Sequence, residues 1–253
     1  DVIVSSGGRL EFSVASDTYI NGTIADSAFE MKDARIDRYT VHSGCNLYVS
    51  SGGVANDLVV SAFGYVGING GQATFASINY DNIVVSSGQR FYIYENGTAN
   101  STTINSKGLM QISSGGVANN TIINDYGSMT IYRDGVANST TINRWGNIQL
   151  SSGGVANDTM INSRGDMLIS SGGVANRTTV SDYADIYIFN GGAANGTIVN
   201  NNGSVYISSG GVANDTVLNS NGRMNVSSGG VANNATVNSG GFLSLLYGGS
   251  ATD

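Results

Sequence analysis

From residue 93 onward, apolar positions come in short bursts that return every 19 residues. Met110, Met129, Ile148, Met167, Ile186, Val205, Met224 and Leu243 hold one column, and Ile112, Ile131, Leu150, Ile169, Ile188, Ile207, Val226 and Leu245 stand two residues later. The position between them varies freely, from Gln111 through Leu168 and Tyr187 to Ser244. Apolar–variable–apolar is a period of two, and it predicts a strand with one buried face. A second burst carries Thr102, Thr121, Thr140, Thr159, Thr178, Thr197 and Thr216, followed two residues on by Ile104, Ile123, Ile142, Ile161, Val180, Val199 and Leu218. A third is Val-Ala, with alanine kept from Ala99 to Ala251, as a tightly packed position would require.

The polar residues punctuate these bursts. Ser-Ser-Gly-Gly-Val-Ala-Asn recurs intact at 50–56, 113–119, 151–157, 170–176, 208–214 and 227–233, with degenerate copies at 94–100, 132–138 and 189–195. Its second glycine falls at Gly97, Gly116, Gly135, Gly154, Gly173, Gly192, Gly211, Gly230 and Gly249. A fixed short period signals a solenoid. Three short strands separated by Gly-Gly, Asn-Asp and Asn-x-x-Gly corners predict one triangular rung, with successive rungs pairing in parallel. The fold class expected is all-β: a right-handed parallel β-helix with 19-residue rungs and an N-terminal cap, handedness following from the bias of parallel crossovers. A dozen rungs would extend about 60 Å. Two asparagine columns, Asn100 to Asn233 and Asn105 to Asn238, are placed to hydrogen-bond along the axis.

Residues 9–43 lose the period and hold much of the charge, which predicts a cap over residues 1–43 with a short helix or loop near 28–36, and a repeat domain over 44–253. The spacing between Thr74 and Val84 is about six residues too long, so residues 75–82 are expected to leave the helix as a loop.

Composition narrows the function. Only 11% of residues are charged and the formal net charge is −7, with no Lys/Arg cluster, so nucleic acid is not an expected partner. Proline is absent, which suits a backbone whose N–H groups all donate to a ladder. Cys45 is the only cysteine, so neither an intramolecular disulfide nor a thiolate cluster can form.

Candidate chemistry is sparse. Asp125, Asp134, Asp158, Asp166, Asp182, Asp185 and Asp215 fall on different corners rather than forming the pair that glycoside hydrolysis needs. His42 and Cys45 are three residues apart with no further ligands nearby, and no calcium-binding nonapeptide occurs. No cofactor or metal is expected, and the chain is read as a non-enzyme. The Asn-x-Thr triplets follow from an asparagine corner preceding the inward threonine. Tyr126, Tyr132, Tyr183, Tyr187 and Tyr206 are outward positions that could stack on sugars, although ordinary strand positions explain them as well. The outward column mixes Thr with Ile, Met and Val, which argues against an ice-binding face.

The stretch Ser-Ser-Gly-Gly-Val-Ala-Asn-Asp-Thr-Val-Leu-Asn-Ser-Asn-Gly at 208–222 resembles the 19-residue repeat of bacterial autotransporter adhesins of the diffuse-adherence (AIDA) type, and the resemblance runs from about Val41 to the C-terminus. It implies an extracellular passenger displayed on the surface of a Gram-negative cell, adhering to a host receptor or glycan, or associating with the same protein on neighbouring cells. It also implies O-heptosylation by a dedicated heptosyltransferase on repeat serines, here Ser113, Ser114, Ser151, Ser152, Ser170, Ser171, Ser208, Ser209, Ser227 and Ser228. No signal sequence or set of alternating barrel strands is present, so the resemblance makes the chain a piece of a passenger. Two other readings are a polysaccharide-binding or polysaccharide-cleaving β-helix and a purely structural stalk.

Overall fold

The computed structural model describes residues 2–4, 19–24 and 27–253, apart from the single residues 114, 133, 209 and 228. Among the described residues every regular element is a strand. Contacts divide the chain into two units. One holds Asp1–Ile78 and Glu95–Gly97; the other holds Asn79–Tyr94 and Thr98–Asp253. The division falls at residues 78–98, whereas the loss of period in the sequence places it at 43.

The second unit is a parallel β-solenoid. Each rung gives one strand to each of three sheets, as Asp166–Ile169, Val174–Asn176 and Thr179–Val180 do. Strands pair in parallel with the residue 19 positions on, so Met167 sits over Ile148 and under Ile186, and Ala175 lies between Ala156 and Ala194. Like stacks on like because the backbone ladder has one register, and slipping by one residue would turn every apolar side chain outward. Phe91, Ile93, Met110, Ile112, Met129, Ile131, Ile148 and Leu150 are fully buried.

The corners close through hydrogen bonds both within and between rungs. In Ser-Ser-Gly-Gly, the second glycine's N–H donates to the first serine's carbonyl, as Gly173 does to Ser170 at 2.8 Å. The two central residues both have positive φ, 50° at Ser171 and 80° at Gly172. That is a type I′ turn, and glycine suits its second centre. The following glycine is needed for space: a Cβ at Gly154 would collide with the carbonyl oxygen of Ile131 on the rung below.

The first asparagine column forms an unbroken directional ladder. Thr252 Oγ1 donates to Asn233 Oδ1, and each Nδ2 from Asn233 to Asn119 donates to the Oδ1 one rung below at 2.8–3.0 Å. It ends where Asn100 Nδ2 donates to the Asp81 carboxylate at 2.9 Å. The second column shows the same bond from Asn143 to Asn124, and from Asn238 through Asn219 to Asn200; Ser181 replaces asparagine between 162 and 200.

The first unit is less regular. Arg35–Asp37 pairs in parallel with Val54–Val60, and on its other edge in antiparallel fashion with Ser27–Lys32. The helix or loop expected near 28–36 is therefore a strand pair. Asp33 and Ala34, at φ 52° and 57°, turn the chain so that Met31 faces Ile36. The concentration of charge there marks exposed strand positions such as Glu30, Arg35 and Asp37, not a helix. Residues 75–82, expected as a loop, include the strand Ile78–Asp81, the first in the Val-Ala-Asn sheet.

Two stability predictions follow from this packing. The hydroxyls of Thr102, Thr121, Thr140, Thr159, Thr178, Thr197 and Thr216 are buried with no hydrogen-bond partner among protein atoms. An unpartnered buried polar group costs about 1–3 kcal/mol. Thr178→Val therefore raises stability by about 1 kcal/mol, read as a higher melting temperature; a lower one would mean that the hydroxyl is bonded. Gly154→Ala lowers stability by about 3 kcal/mol through overpacking, read by the same melt.

Candidate functional site

Three surface features of the solenoid unit repeat with its rungs: the serine turns, the charged corners and an aromatic corner. In the serine turns, the first serine belongs to the scaffold. Ser113, Ser151, Ser170, Ser208 and Ser227 are half-buried, and each donates its N–H to the rung below, as Ser170 does to Leu150 at 3.0 Å. The second serine stands at the turn tip. Ser152 and Ser171 are exposed, with φ of 51° and 50°. Ser114, Ser209 and Ser228 lie outside the described residues. In the two described pairs the second serine is thus the more accessible, which sequence alone does not reveal.

Charges stack by column. Arg177 Nε and Nη2 donate to the two carboxylate oxygens of Asp158 at 2.7 and 2.8 Å, and Arg144 lies 3.6 Å from Asp125. The bond to Arg177 holds the Asp158 carboxyl below its usual range. Asp215 accepts from Asn234 at 3.1 Å. Asp166 and Asp185 are different: they sit in register on neighbouring strands and are both half-buried. Burial raises the Asp166 carboxyl, and the Asp185 charge raises it further. Burial also raises Asp185, against hydrogen bonds from Tyr187 and Ser204. The scatter expected from the sequence holds for the other aspartates but not for these two. Their signal was a shared column 19 residues apart. They stand side by side along one sheet, not across a cleft. Among the described residues no group of three or more His, Cys, Asp or Glu could hold a metal. His42 and Cys45 are both half-buried, joined through Cys45 N–H donating to the His42 carbonyl at 3.0 Å.

The Asn-x-x-Gly corner carries aromatics that the sequence reading only partly found. Tyr126 and Trp145 are parallel at 6.2 Å between centroids, and the Arg164 guanidinium lies 5.2 Å over Trp145 and 6.0 Å over Tyr183. Alignment of column 126, 145, 164, 183 would have exposed Trp145 and Arg164. Tyr126, Trp145 and Tyr183 are all exposed. Tyr187 stacks on Tyr206 at 5.1 Å and donates its hydroxyl to Asp185 at 3.3 Å. The sequon asparagines have their amides engaged in the ladder, and the following threonines are buried.

Part of the solenoid sequence matches a known family. Residues 186–241 match the profile described as "Adhesin of bacterial autotransporter system, probable stalk". These are AIDA-type adhesin repeats. The same register pairs strand to strand from Arg90 to Leu245. No curated protein sequence matches the chain. Among solved structures, a TibC-catalysed hyper-glycosylated TibA fragment matches with a TM-score of 0.53 at 24% identity, covering 86% of this chain and 100% of that one. At that identity the likeness establishes the fold.

The Asp166–Asp185 pair gives a pH prediction for these repeats. A carboxyl raised in the folded state opposes folding when charged, so the fold gains stability as pH falls through the raised value. Asp166→Asn therefore raises the melting temperature at neutral pH. The gain shrinks as the solution is acidified towards the ordinary carboxyl range, because the wild-type group is then already neutral. A gain independent of pH would remove the electrostatic explanation.

Proposed function

We propose that this chain is the adhesive portion of a surface-displayed autotransporter passenger, acting between a Gram-negative cell and host cells or neighbouring bacteria. The observation that carries this reading is the in-register repetition of one exposed turn on a rigid scaffold whose rungs match an autotransporter adhesin profile. Weak contacts that recur along a stiff surface add through avidity. The second serine of each pair is the acceptor for heptose from a dedicated transferase. Support comes from the exposure of Ser152 and Ser171 beside the half-buried Ser151 and Ser170. The glycosylated TibA fragment has the same fold, and its modification is brought here as part of the proposal. A second reading, a stalk that only spaces an adhesive tip, is favoured by the word "stalk" in the family description.

Fluorescent beads coated with the chain, with and without co-expression of a heptosyltransferase, separate the two. Attachment to epithelial cells or clumping of beads supports adhesion; beads that remain dispersed in both forms leave a spacer. For modification, Ser152→Ala and Ser171→Ala each remove one heptose from the intact mass, while Ser151→Ala and Ser170→Ala remove none. Loss at the first serines instead would overturn the assignment.

A further inference from the structure

The Asn-x-x-Gly corners change character along the solenoid although their backbone does not. Their second turn residue has φ between 57° and 67° at Lys107, Tyr126, Trp145, Arg164 and Tyr183. On later rungs the same position holds Asn202 at 64° and Asn221 at 59°. Asparagine enters this left-handed region readily, whereas large side chains resist it. The turn itself therefore does not require the bulky residues that fill it on four consecutive rungs.

Those residues form one outward row. Tyr126 lies parallel to Trp145, and the Arg164 guanidinium carbon is 5.2 Å from the Trp145 ring centroid and 6.0 Å from that of Tyr183. Trp145 belongs to the rung before Arg164 and Tyr183 to the rung after it. Rings on either side hold the plane of the guanidinium. Its N–H donors all lie in that plane. Among the described residues no carboxylate lies within ion-pair distance of Arg164, and the side chain is exposed. The rings beside it also reach solvent, with Tyr126, Trp145 and Tyr183 at 59%, 42% and 61% exposure. On this corner the three cations Lys107, Arg144 and Arg164 stand against Asp125 and Asp182, in a chain of net charge −7.

We propose that this corner binds an acidic saccharide. The Arg164 fork takes its carboxylate or sulfate, and the sugar rings lie along Trp145 and Tyr126 on one side and Tyr183 on the other. A planar guanidinium donates two parallel N–H bonds to an oxyanion. Tyrosine and tryptophan offer a hydroxyl-rich partner both an apolar ring and a polar handle. The row covers four rungs, about 14 Å, which suits a short oligosaccharide.

Charge spacing favours a saccharide over other polyanions. A single fork in an acidic chain fits a ligand whose anions are far apart. Duplex DNA carries a charge every ~1.7 Å, and an acidic polypeptide one every ~3.4 Å. Either would bring many charges against the surrounding carboxylates. The proposal rests on the host-adhesion arm of the function above and names the receptor chemistry.

Trp145 is the only tryptophan, so its emission reports from the site itself. The chain is titrated with oligosaccharides of hyaluronan, which carry carboxylates, and of keratan sulfate, which carry sulfates; neutral dextran and polyglutamate serve as comparisons. A saturable change with hyaluronan, keratan sulfate or both supports the site and tells which oxyanion it takes. No change with either overturns it, as does an equal response to dextran or polyglutamate. Arg164→Asn installs the residue type that the turn accepts at Asn202, so the circular-dichroism melt is preserved while binding weakens about tenfold. Arg164→Lys keeps the charge without the planar fork and weakens binding as well. The exposed Arg223 lies on another column, and Arg223→Gln binds as wild type. Unchanged binding by Arg164→Asn would overturn the assignment. Coated beads separate this site from the adhesion reading. Wild-type and Arg164→Asn beads attaching equally to epithelial cells would remove the site as the cell contact and leave adhesion standing. Oligosaccharide binding without attachment to cells would keep the site and remove host adhesion.

Discussion

The constraint on which the rest depends is the backbone ladder that sets each residue over the one 19 positions earlier. In a parallel stack with a fixed register, every side chain lies about 4.8 Å from its equivalents above and below. Columns, not individual residues, are therefore the units of selection by physics. Apolar columns such as Met110 to Met224 fill the interior, and amide columns form the ladder from Thr252 to Asp81. Charge is the type that suffers from this arrangement. Two like unit charges at 4.8 Å repel by about 1 kcal/mol even in water. A column of one sign would sum that over every rung. The chain answers with few charges, 11% of residues, and with opposite signs on adjacent rungs at Asp158/Arg177 and Asp125/Arg144. Asp166/Asp185 is the exception, and burial together with its neighbour's charge pushes Asp166 up.

The same ladder supports corners that would be strained alone. Serine, aspartate, asparagine, arginine and tyrosine all adopt positive φ at turn positions, for instance Asp182 at 56° and Tyr183 at 63°. Each such residue costs about 1 kcal/mol or more outside glycine. The turn N–H groups recover part of that by bonding along the axis: Asp158 donates to Asn176 at 2.9 Å and Asp182 to Asn201 at 3.0 Å. A turn without a neighbouring rung would have neither bond, so the corner and the stack depend on one another.

That dependence explains which parts of the structure are legible in the sequence. Where a column demands one residue type, as the buried alanines and the glycines beside Ile131 do, the period itself reports the fold. Features that arise between neighbouring rungs of a column with mixed residue types are hidden until the repeats are aligned: the Arg177–Asp158 bond, the Tyr126–Trp145–Arg164 stack, the Asp166–Asp185 pair. The N-terminal region stays illegible for a different reason. Arg35–Asp37 keeps the 19-residue register against Val54–Asn56, but its other edge pairs antiparallel with Ser27–Lys32 through Met31 and Ile36, so charge-rich polar text hides an ordinary hairpin turned by Asp33 and Ala34.

Serine at the turn tips is the residue type least explained by this logic. The position has φ near 50° in Ser152 and Ser171, a region that asparagine and glycine enter more readily. Asn190 takes it once, at φ 42°, with no change in the surrounding turn: Gly192 N–H still donates to the Phe189 carbonyl at 3.1 Å. Folding would therefore be served as well by asparagine on every rung. The hydroxyl makes no contribution to the core at an exposed tip. A serine that recurs at an exposed tip without being required by the fold is what the proposed modification would need. The repeat then has two separable parts: inward columns that hold the stack, and outward columns that can differ rung by rung without disturbing it, the second being where recognition has to be written.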